Sequence, residues 1–274
     1  MTPMIKRKTK IIISLSFHLV TLAGRLLYRL SGRPARDRMV ILYYHSVPPA
    51  SRANFARQLD ILAARATVVP ADYCGSNARG RHNVAITFDD AFTSVWENAL
   101  PELRTRGMPA TIFVPMGSLG RPPAWEMEDE PVDSCGVVAT ADALRSMTSE
   151  LVQLGAHTLT HPHLTRLQLE DARAEIAGCR EQMETIFGIK IRHFAFPYGD
   201  HNAAITELCR EAGYEHVYTV LPKTVDPSSD EFVRGRVLVD PADRSLEFYL
   251  KMSGAYAWMV HASALKKWLR AQLR

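Results

Sequence analysis

Short apolar runs alternate with longer segments of helical period along most of this chain. The runs at 39–44, 84–88 and 110–114 are apolar over nearly their whole length, as strands buried on both faces are. After the first run, Phe55 and Leu59 are four residues apart, and apolar positions at this spacing line one face of a helix. Strands that alternate with helices in this way predict an α/β domain built on a parallel sheet.

The same criteria place the other elements of the predicted domain. The segment 115–140 is a loop with several glycines and prolines, and a loop of that length inside a compact domain is more often functional than idle. Trp125 in this loop is a candidate for stacking on a substrate ring, although covering the core is the more common role of such a residue. Further strands are predicted at 67–69, 154–157, 191–196 and 214–220, with a weaker candidate at 234–239, and helices at 53–65, 91–106, 141–153, 168–187 and 203–212.

Polar residues able to do chemistry follow directly after the predicted strands. His45 follows the first strand, and the adjacent carboxylates Asp89 and Asp90 follow a later one. His157 and Tyr198 come at the ends of two further strands. In an α/β barrel the carboxyl ends of the strands share one face, where active sites are built. The pattern therefore predicts a single site at that face.

His157 and His161 are separated by three residues and followed by Pro162. In zinc proteases such a pair lies on a helix with a glutamate after the first histidine, but here that position is a threonine. The proline disfavours helical geometry at His161, so the pair is predicted in a loop. Two histidines and one aspartate leave coordination positions open, as catalytic metal sites do. The alternatives are an ordinary turn for the aspartates and a hydrogen-bonded loop for the histidines; the presence of both pairs favours a metal site.

Charge is unevenly distributed over the 274 residues. Residues 1–38 hold nine basic side chains against one acid, Asp37, so this segment is +8 and the rest of the chain is −4. A nucleic-acid enzyme more often carries its basic patch on the folded body, so no nucleic-acid partner is expected. The four cysteines include no C-x-x-C pair, which argues against a cysteine-rich zinc module and fits reduced thiols, with two disulfides as the alternative.

The N-terminal segment combines this basic charge with an apolar run. The run at 11–24 follows a basic cluster at 6–10 and is short for a membrane span, which needs roughly 20 residues. Extension to Leu30 gives an amphipathic helix typical of an anionic membrane surface. We expect a membrane-associated helix or signal-anchor first, a helix packed on the body second, and a cleaved signal third. The predicted units are a basic N-terminal helix at 1–38, a catalytic domain at 39–240 and a C-terminal helical extension at 241–274. The expected location is the cytoplasm or the inner membrane, or the periplasm if the first unit is a signal-anchor.

With these motifs, the sequence resembles the polysaccharide deacetylase family, which carries the NodB homology domain of carbohydrate esterase family 4. The first family motif stands here as Thr87-Phe88-Asp89-Asp90, the second as His157-Thr158-Leu159-Thr160-His161, within a resemblance over about 39–220. The resemblance implies a distorted (β/α)7 barrel and a divalent metal, with Zn²⁺ first and Co²⁺, Ni²⁺ or Fe²⁺ as alternatives. It implies that Asp89 is the catalytic base and that Asp90, His157 and His161 bind the metal.

Two departures from the family pattern narrow this resemblance. In the third motif Pro197 and Tyr198 are retained, which implies substrate contact and a Tyr198 N–H for the oxyanion, but Ala195 replaces the arginine that positions the base. The late histidine motif has no convincing copy; instead, His45 stands in a Tyr-His segment before the first motif. That order resembles the circularly permuted branch that includes poly-N-acetylglucosamine deacetylases, and it implies that His45 is the catalytic acid.

The expected function is removal of N-acetyl groups from an exopolysaccharide, with release of acetate. An N-acetylated glycan is the expected substrate, and a membrane surface is an expected contact of the N-terminus. A chitooligosaccharide or peptidoglycan deacetylase is the first alternative. A non-catalytic carbohydrate-binding relative is the second, because a fold does not by itself fix an activity.

Overall fold

Parallel strands form a nearly closed barrel at the centre of the molecule. The computed structural model describes residues 3–32, 38–75, 82–125, 136–148, 151–260 and 262. Neighbouring strands pair in parallel throughout the sheet, in the order β8-β7-β6-β5-β4-β3-β1-β9, with β2 beside β3. The strands are β1 Met39–Tyr44, β2 Thr67–Val68, β3 Asn83–Phe88, β4 Ala110–Val114, β5 Val152–Ala156, β6 His193–Ala195, β7 His216–Thr219, β8 Val233–Gly235 and β9 Val237–Leu238.

One continuous stretch near the end of the chain closes the barrel. β8 pairs with β7, and β9, separated from β8 only by Arg236, pairs with β1 at the other end of the sheet. When β8 and β9 are counted as one strand, the barrel has seven. The structure thereby confirms the predicted distorted (β/α)7 barrel, and the weaker strand candidate at 234–239 is the closing strand.

Helices cover the outside of the barrel because each strand carries apolar side chains outward as well as inward. The main core lies between the strands and these helices, where Phe55, Leu59 and Ile176 are fully buried. The helices are α1 Pro3–Leu30, α2 Arg52–Arg65, α3 Leu100–Thr105, α4 Ala141–Met147, α5 Leu169–Phe187, α6 Ala203–Glu211 and α7 Ser245–Met252.

The barrel interior has a small apolar core of its own. Ile41, Ala85 and Phe113 are buried there, together with Tyr218. Gly155 makes room for the phenyl ring, since a Cβ on this glycine would lie 2.5 Å from Cε1 of Phe113. Because this core is small, the inward positions nearer the carboxyl ends of the strands are left to polar side chains.

Two predicted helices differ from those observed. The helix predicted at 141–153 ends at Met147, because residues 152–156 instead form β5 and pair with β4 over five positions. The helix predicted at 91–106 begins at residue 93 and contains a wide π-helical turn at Val95–Ala99 before the α-helix Leu100–Thr105. The C-terminal helical extension predicted at 241–274 includes α7; residue 261 and residues from 263 onward lie outside the described part of the chain.

Candidate active site

The predicted site residues come together at the carboxyl ends of the strands. Asp89 and Asp90 follow β3 directly, and His157 follows β5. Within the described residues, the ligand atoms of Asp90, His157 and His161 all lie within 4.8 Å of one another. The side chains of these three residues and of Asp89 are at most 5% exposed. Two motifs that are far apart in sequence thus form one buried cluster.

The distances from Asp90 to the two imidazole nitrogens suit a tetrahedral cation. Nε2 of His157 lies 3.6 Å and Nε2 of His161 3.4 Å from Oδ1 of Asp90. Ligand atoms bound to tetrahedral Zn²⁺ at about 2.0–2.2 Å are separated from each other by roughly 3.3–3.6 Å. Oδ1 of Asp90 is buried and has no hydrogen-bond partner among the described residues. An unpartnered buried carboxylate oxygen between two imidazole nitrogens is what a divalent cation would satisfy.

Both histidines are held in the neutral form that binds metal. Nδ1 of His157 lies 2.8 Å from the carbonyl oxygen of Ala195, and since a carbonyl can only accept, Nδ1 carries the proton. Nε2 is then left with a lone pair directed at the cluster. Burial lowers the pKa of His157 to about 4, and burial together with His157 lowers the pKa of His161 to about 2.

The neighbouring carboxylates have opposite protonation behaviour. Burial, and then the charge of Asp89, raise the pKa of Asp90 well above its ordinary value. Burial is the largest influence on Asp89 and would raise its pKa, but the charge and hydrogen bonds of Arg236 together with smaller effects of His157 and His45 outweigh it, and the pKa of Asp89 is lowered. Asp89 is therefore ionised at neutral pH, whereas Asp90 needs a cation to be so.

Arg236 is the functional residue that sequence reasoning missed. Its Nη1 and Nη2 donate to Oδ1 and Oδ2 of Asp89 at 2.6 and 2.8 Å, a two-pronged contact between two fully buried groups. The guanidinium also lies over the ring of Tyr43, 4.7 Å from its centroid. The arginine that is absent at Ala195 is thus supplied by the closing strand. The sequence feature that indicates Arg236 is its spacing from Arg234, which puts two charges on one face of a predicted strand.

The backbone of the site is held in an uncommon conformation. Every described residue other than glycine with positive φ lies in one of the motifs or, in the case of Ala91, directly after one, and such values are unfavourable for residues with a Cβ. Strain of this kind clusters at functional sites, where the surrounding structure enforces it. The residues are Asp90 (φ 66°), Ala91 (49°), Thr158 (66°), His161 (60°) and Tyr198 (57°).

A carboxylate on α5 supports the histidine loop from behind. Oε2 of Glu175 accepts the backbone N–H groups of Leu159 and Thr160 at 2.8 and 2.9 Å, and Oε1 accepts the hydroxyl of Thr160 at 2.6 Å. The hydroxyl of Thr158 accepts the N–H of His161 at 3.0 Å. These bonds fix the loop between the two imidazoles.

The remaining predicted residues surround this cluster. His45 is half-buried, packs edge-on against Tyr43 at 5.6 Å between ring centroids, and is near enough to lower the pKa of Asp89. Trp125 is 8% exposed and stacks on the ring of His161 at 4.4 Å, so it forms a wall of the Asp-His-His cluster. Tyr198 packs edge-on against His161. Contact of Trp125, Pro197 and Tyr198 with substrate stays a prediction.

Comparison with known proteins identifies the family. The family model for polysaccharide deacetylase matches residues 76–217, just over half of the chain. The chain belongs to the polysaccharide deacetylase family. The poly-beta-1,6-N-acetyl-D-glucosamine N-deacetylase of Staphylococcus aureus is 22% identical over 179 residues, which cover 62% of this chain and 58% of that protein. YxkH of Bacillus subtilis is 25% identical over 158 residues, or 58% of this chain and 52% of that protein. This polysaccharide deacetylase therefore aligns with between half and three fifths of each curated relative.

Solved structures agree with the family assignment. IcaB from Ammonifex degensii has a TM-score of 0.68 at 29% identity, with 81% of this chain and 98% of that chain covered. The Streptococcus pyogenes deacetylase PplD, solved with acetate, has a TM-score of 0.64 at 18% identity, with 80% and 99% covered, and this likeness shows the fold alone. IcaB and the S. aureus relative confirm the predicted resemblance to the exopolysaccharide deacetylase branch.

Proposed function

We propose that this protein is a metal-dependent N-deacetylase that hydrolyses acetamide groups of an N-acetylated exopolysaccharide and releases acetate. The observation that carries the proposal is that the two adjacent carboxylates, Asp89 and Asp90, have different partners. Asp90 faces two neutral imidazole nitrogens at 3.4 and 3.6 Å, while both oxygens of Asp89 are bound by Arg236. One carboxylate is thus placed to bind a cation and the other to accept a proton.

The donor set fits a divalent metal. Asp90, His157 and His161 would hold it, and one oxygen and two imidazole nitrogens suit Zn²⁺ first, with Co²⁺, Ni²⁺ or Fe²⁺ as alternatives. When bound, such an ion would supply Lewis acidity toward the acetamide carbonyl and toward water.

Asp89 is the proposed general base. Arg236 uses one lone pair on each carboxylate oxygen, and each oxygen retains another that can take a proton from the attacking water. The two-pronged contact also fixes the plane of the carboxylate, so the base does not rotate away from its substrate. Because its pKa is lowered, Asp89 stays in the basic form from neutral pH into the acidic range.

His45 is the proposed proton donor to the leaving amine, and Tyr198 is the proposed hydrogen-bond donor to the oxyanion. His45, when protonated, would donate its proton to the leaving sugar amine, and its electrostatic effect on Asp89 supports a position beside the base. The backbone N–H of Tyr198 would donate to the oxyanion of the tetrahedral intermediate, and the positive φ of 57° at Tyr198 supports a specially placed peptide group.

The glycan itself is proposed from the relatives. The name of the S. aureus relative specifies poly-beta-1,6-N-acetyl-D-glucosamine, so a β-1,6-linked N-acetylglucosamine polymer is the first substrate to test. Chitooligosaccharide and peptidoglycan follow. A non-catalytic role is disfavoured because the metal cluster and an ionised base are both intact, and because Arg236 offsets the loss of the arginine at Ala195.

Acetate release from these three glycans tests the proposal. The metal-loaded enzyme should release acetate from at least one glycan, chelation should stop the release, and added Zn²⁺ should restore it. Asp89→Asn should reduce the rate by at least 10³-fold, the scale of losing an essential base at the upper end of its usual contribution of roughly 10²–10⁴. Asp72→Asn is the matched control, since Asp72 pairs with His193 at the start of β6, at the other end of the barrel. Asp89→Asn enzyme with wild-type activity would exclude Asp89 as the base, and no release from any N-acetylated glycan would exclude the proposed activity.

A further inference from the structure

Helix α1 turns its polar side toward the body and its apolar side outward. In an ordinary surface helix the apolar stripe faces the core. Here the two most buried residues of α1, among those whose side chains the structure describes, are polar: Ser14 at 0% and His18 at 8% exposure. Most of the large exposed apolar side chains of the described chain are instead on the outer side of this helix, each 38–75% exposed: Ile5, Ile12, Ile13, Leu15, Leu19, Val20, Leu22, Leu26, Leu27 and Leu30.

The inward side of α1 is held by polar contacts along its length. Arg7 donates to Asp243 and to Glu247 at 2.8 Å each. Nε1 of Trp258 donates to the hydroxyl of Ser14 at 2.9 Å. His18 then packs edge-on against Tyr249 of α7 at 5.5 Å between ring centroids. These contacts are specific, so α1 is docked as part of the body rather than attached at a single point.

The exposed apolar face needs a partner. Ten partly exposed large side chains amount to on the order of 1,000 Å², above the roughly 300–600 Å² of the largest apolar patch on a typical soluble monomer. Charge selects the partner. Residues 3–30 contain six basic residues and no acid, and Lys8 and Lys10 are exposed beside the apolar face. Two copies of this face would bring like charges together, whereas an anionic lipid surface would complement them.

The docked geometry also decides how the helix meets the lipid. The segment Arg7–Tyr28 is long and apolar enough to cross a membrane by length and composition. A span would have to leave the body, however, because Asp243 and Trp258 contact the same segment from the side. It would also place Arg7, Ser14 and His18 in hydrocarbon without these partners, which is costly. A helix lying in the interface keeps the polar side on the protein and the apolar side in lipid.

We propose that α1 is an in-plane anchor that binds an anionic phospholipid surface through its outer apolar face while its polar inner side stays docked on the barrel. The anchor and the catalytic body then form one rigid unit. Arg7 contacts Asp243, which follows the carboxyl end of β9, whereas Arg25 lines a cavity with Arg38, which precedes β1. The helix therefore runs along the barrel from the active-site end to the opposite end, and the membrane would lie alongside the barrel, with the active-site mouth opening parallel to the lipid surface. This inference does not depend on the proposed deacetylase activity.

Vesicle flotation with the full-length protein tests the surface. The protein should float with vesicles of phosphatidylcholine and phosphatidylglycerol, bind at least tenfold less to phosphatidylcholine alone, and be released in part by 0.5 M NaCl, since salt screens surface charge. Leu19→Glu with Leu27→Glu should lower flotation at least tenfold. Leu169→Glu and Leu246→Glu are matched controls, because these leucines are 51% and 53% exposed on other helices, and they should bind as the wild type does. Thermal melting of each variant establishes that it is folded.

A labelling experiment separates an in-plane helix from a span. Lys10→Cys and Ser31→Cys lie at exposed polar positions at the two ends of the apolar run and outside the apolar face itself. A membrane-impermeant maleimide added outside sealed vesicles should label both, as read by peptide mass mapping. Labelling of only one position would show a span and overturn the proposal. So would failure to float on anionic vesicles, or a dimer in analytical ultracentrifugation that Leu19→Glu with Leu27→Glu dissociates while vesicle binding stays unchanged.

Discussion

Replacement of Arg236 by methionine tests whether a residue from the closing strand maintains the catalytic base. Arg236→Met retains a long apolar side chain of similar shape but removes both hydrogen bonds to Asp89 and the positive charge. Asp89 then stays buried without its main counter-charge, and burial by itself raises the pKa of a carboxyl group. We expect Asp89 to become protonated at pH values where the wild-type enzyme is active.

The size of the expected pH shift follows from the loss of the Arg236 charge. An opposite charge in contact lowers an aspartate pKa by roughly 1–3 units, so the acid limb of log kcat/KM should move up by about 1–3 pH units. The folded pKa of Asp89 is lowered, so the pair contributes stability that is present above the ordinary aspartate pKa and lost as the pH falls through the folded value. Loss of one partner from a buried ion pair costs about 3–5 kcal/mol, so the variant should also be less stable at neutral pH.

The assay is acetate release by metal-saturated enzyme between pH 5 and 9, corrected for the folded fraction. Arg234→Met is the matched control, because Arg234 is equally buried two residues earlier but donates to the carbonyl oxygens of Ala71 and Glu231. It should lose stability without moving the acid limb. Arg236→Lys, which keeps the charge without the two-pronged geometry, should fall between wild type and Arg236→Met. An unmoved acid limb in folded Arg236→Met would refute the role given to Arg236.

Three further changes test other parts of the site and fold. Asp90→Asn should stabilise the metal-free protein by about 1–3 kcal/mol at pH 8, because the raised pKa of Asp90 means that folding must take up a proton at that pH, and it should abolish the rise in Tm on adding Zn²⁺; a metal-induced rise that persists would contradict the ligand assignment. Glu175→Ala should weaken Zn²⁺ binding about 10–100-fold in a competition titration, and Glu175→Gln should weaken it less because one acceptor oxygen remains; equal affinities in all three proteins would exclude support of the histidine loop. Gly155→Ala should lower the free energy of unfolding in urea by about 1–3 kcal/mol because the new Cβ overlaps Phe113, while Gly24→Ala, which meets nothing within 4 Å, should not lower it.

The sequence predicts the structure best where the local hydrophobic pattern and the chemistry of the side chains agree. The fully apolar strands were recognisable because both faces of a parallel sheet are buried, and the predicted β3 at 84–88 is one residue shorter than Asn83–Phe88. The clustering of Asp90, His157 and His161 was predictable from two short motifs at strand ends. Boundaries failed where tertiary pairing overrode local preference. Residues 148–153 were read as the end of a helix, yet Val152 pairs with Ala110 and begins a strand.

The N-terminal helix shows a different limit. Its apolar and basic residues were visible in the sequence, and membrane association stays a prediction. The sequence could not show which side faces the body, because Ser14 and His18 look like ordinary polar positions on a surface helix. Only the partners on α7 and beyond, more than 200 residues away, show that the polar side is the docked one.

Register explains how two adjacent aspartates acquire different chemistry and how a distant arginine finds one of them. Inward side chains alternate along β3, so Ala85 and Thr87 are followed by Asp89, whose N–H still continues the sheet by donating to Tyr44. The same alternation on the closing stretch turns Arg236 inward, where it binds both Thr87 and Asp89. Asp90 leaves the strand at a φ of 66°, and its carboxylate turns to the histidines instead. A barrel brings inward positions of different strands together whatever their separation in the chain. The arginine beside the proposed base can therefore be lost from β6 and supplied by the stretch that joins β8 and β9, without moving Asp89 itself.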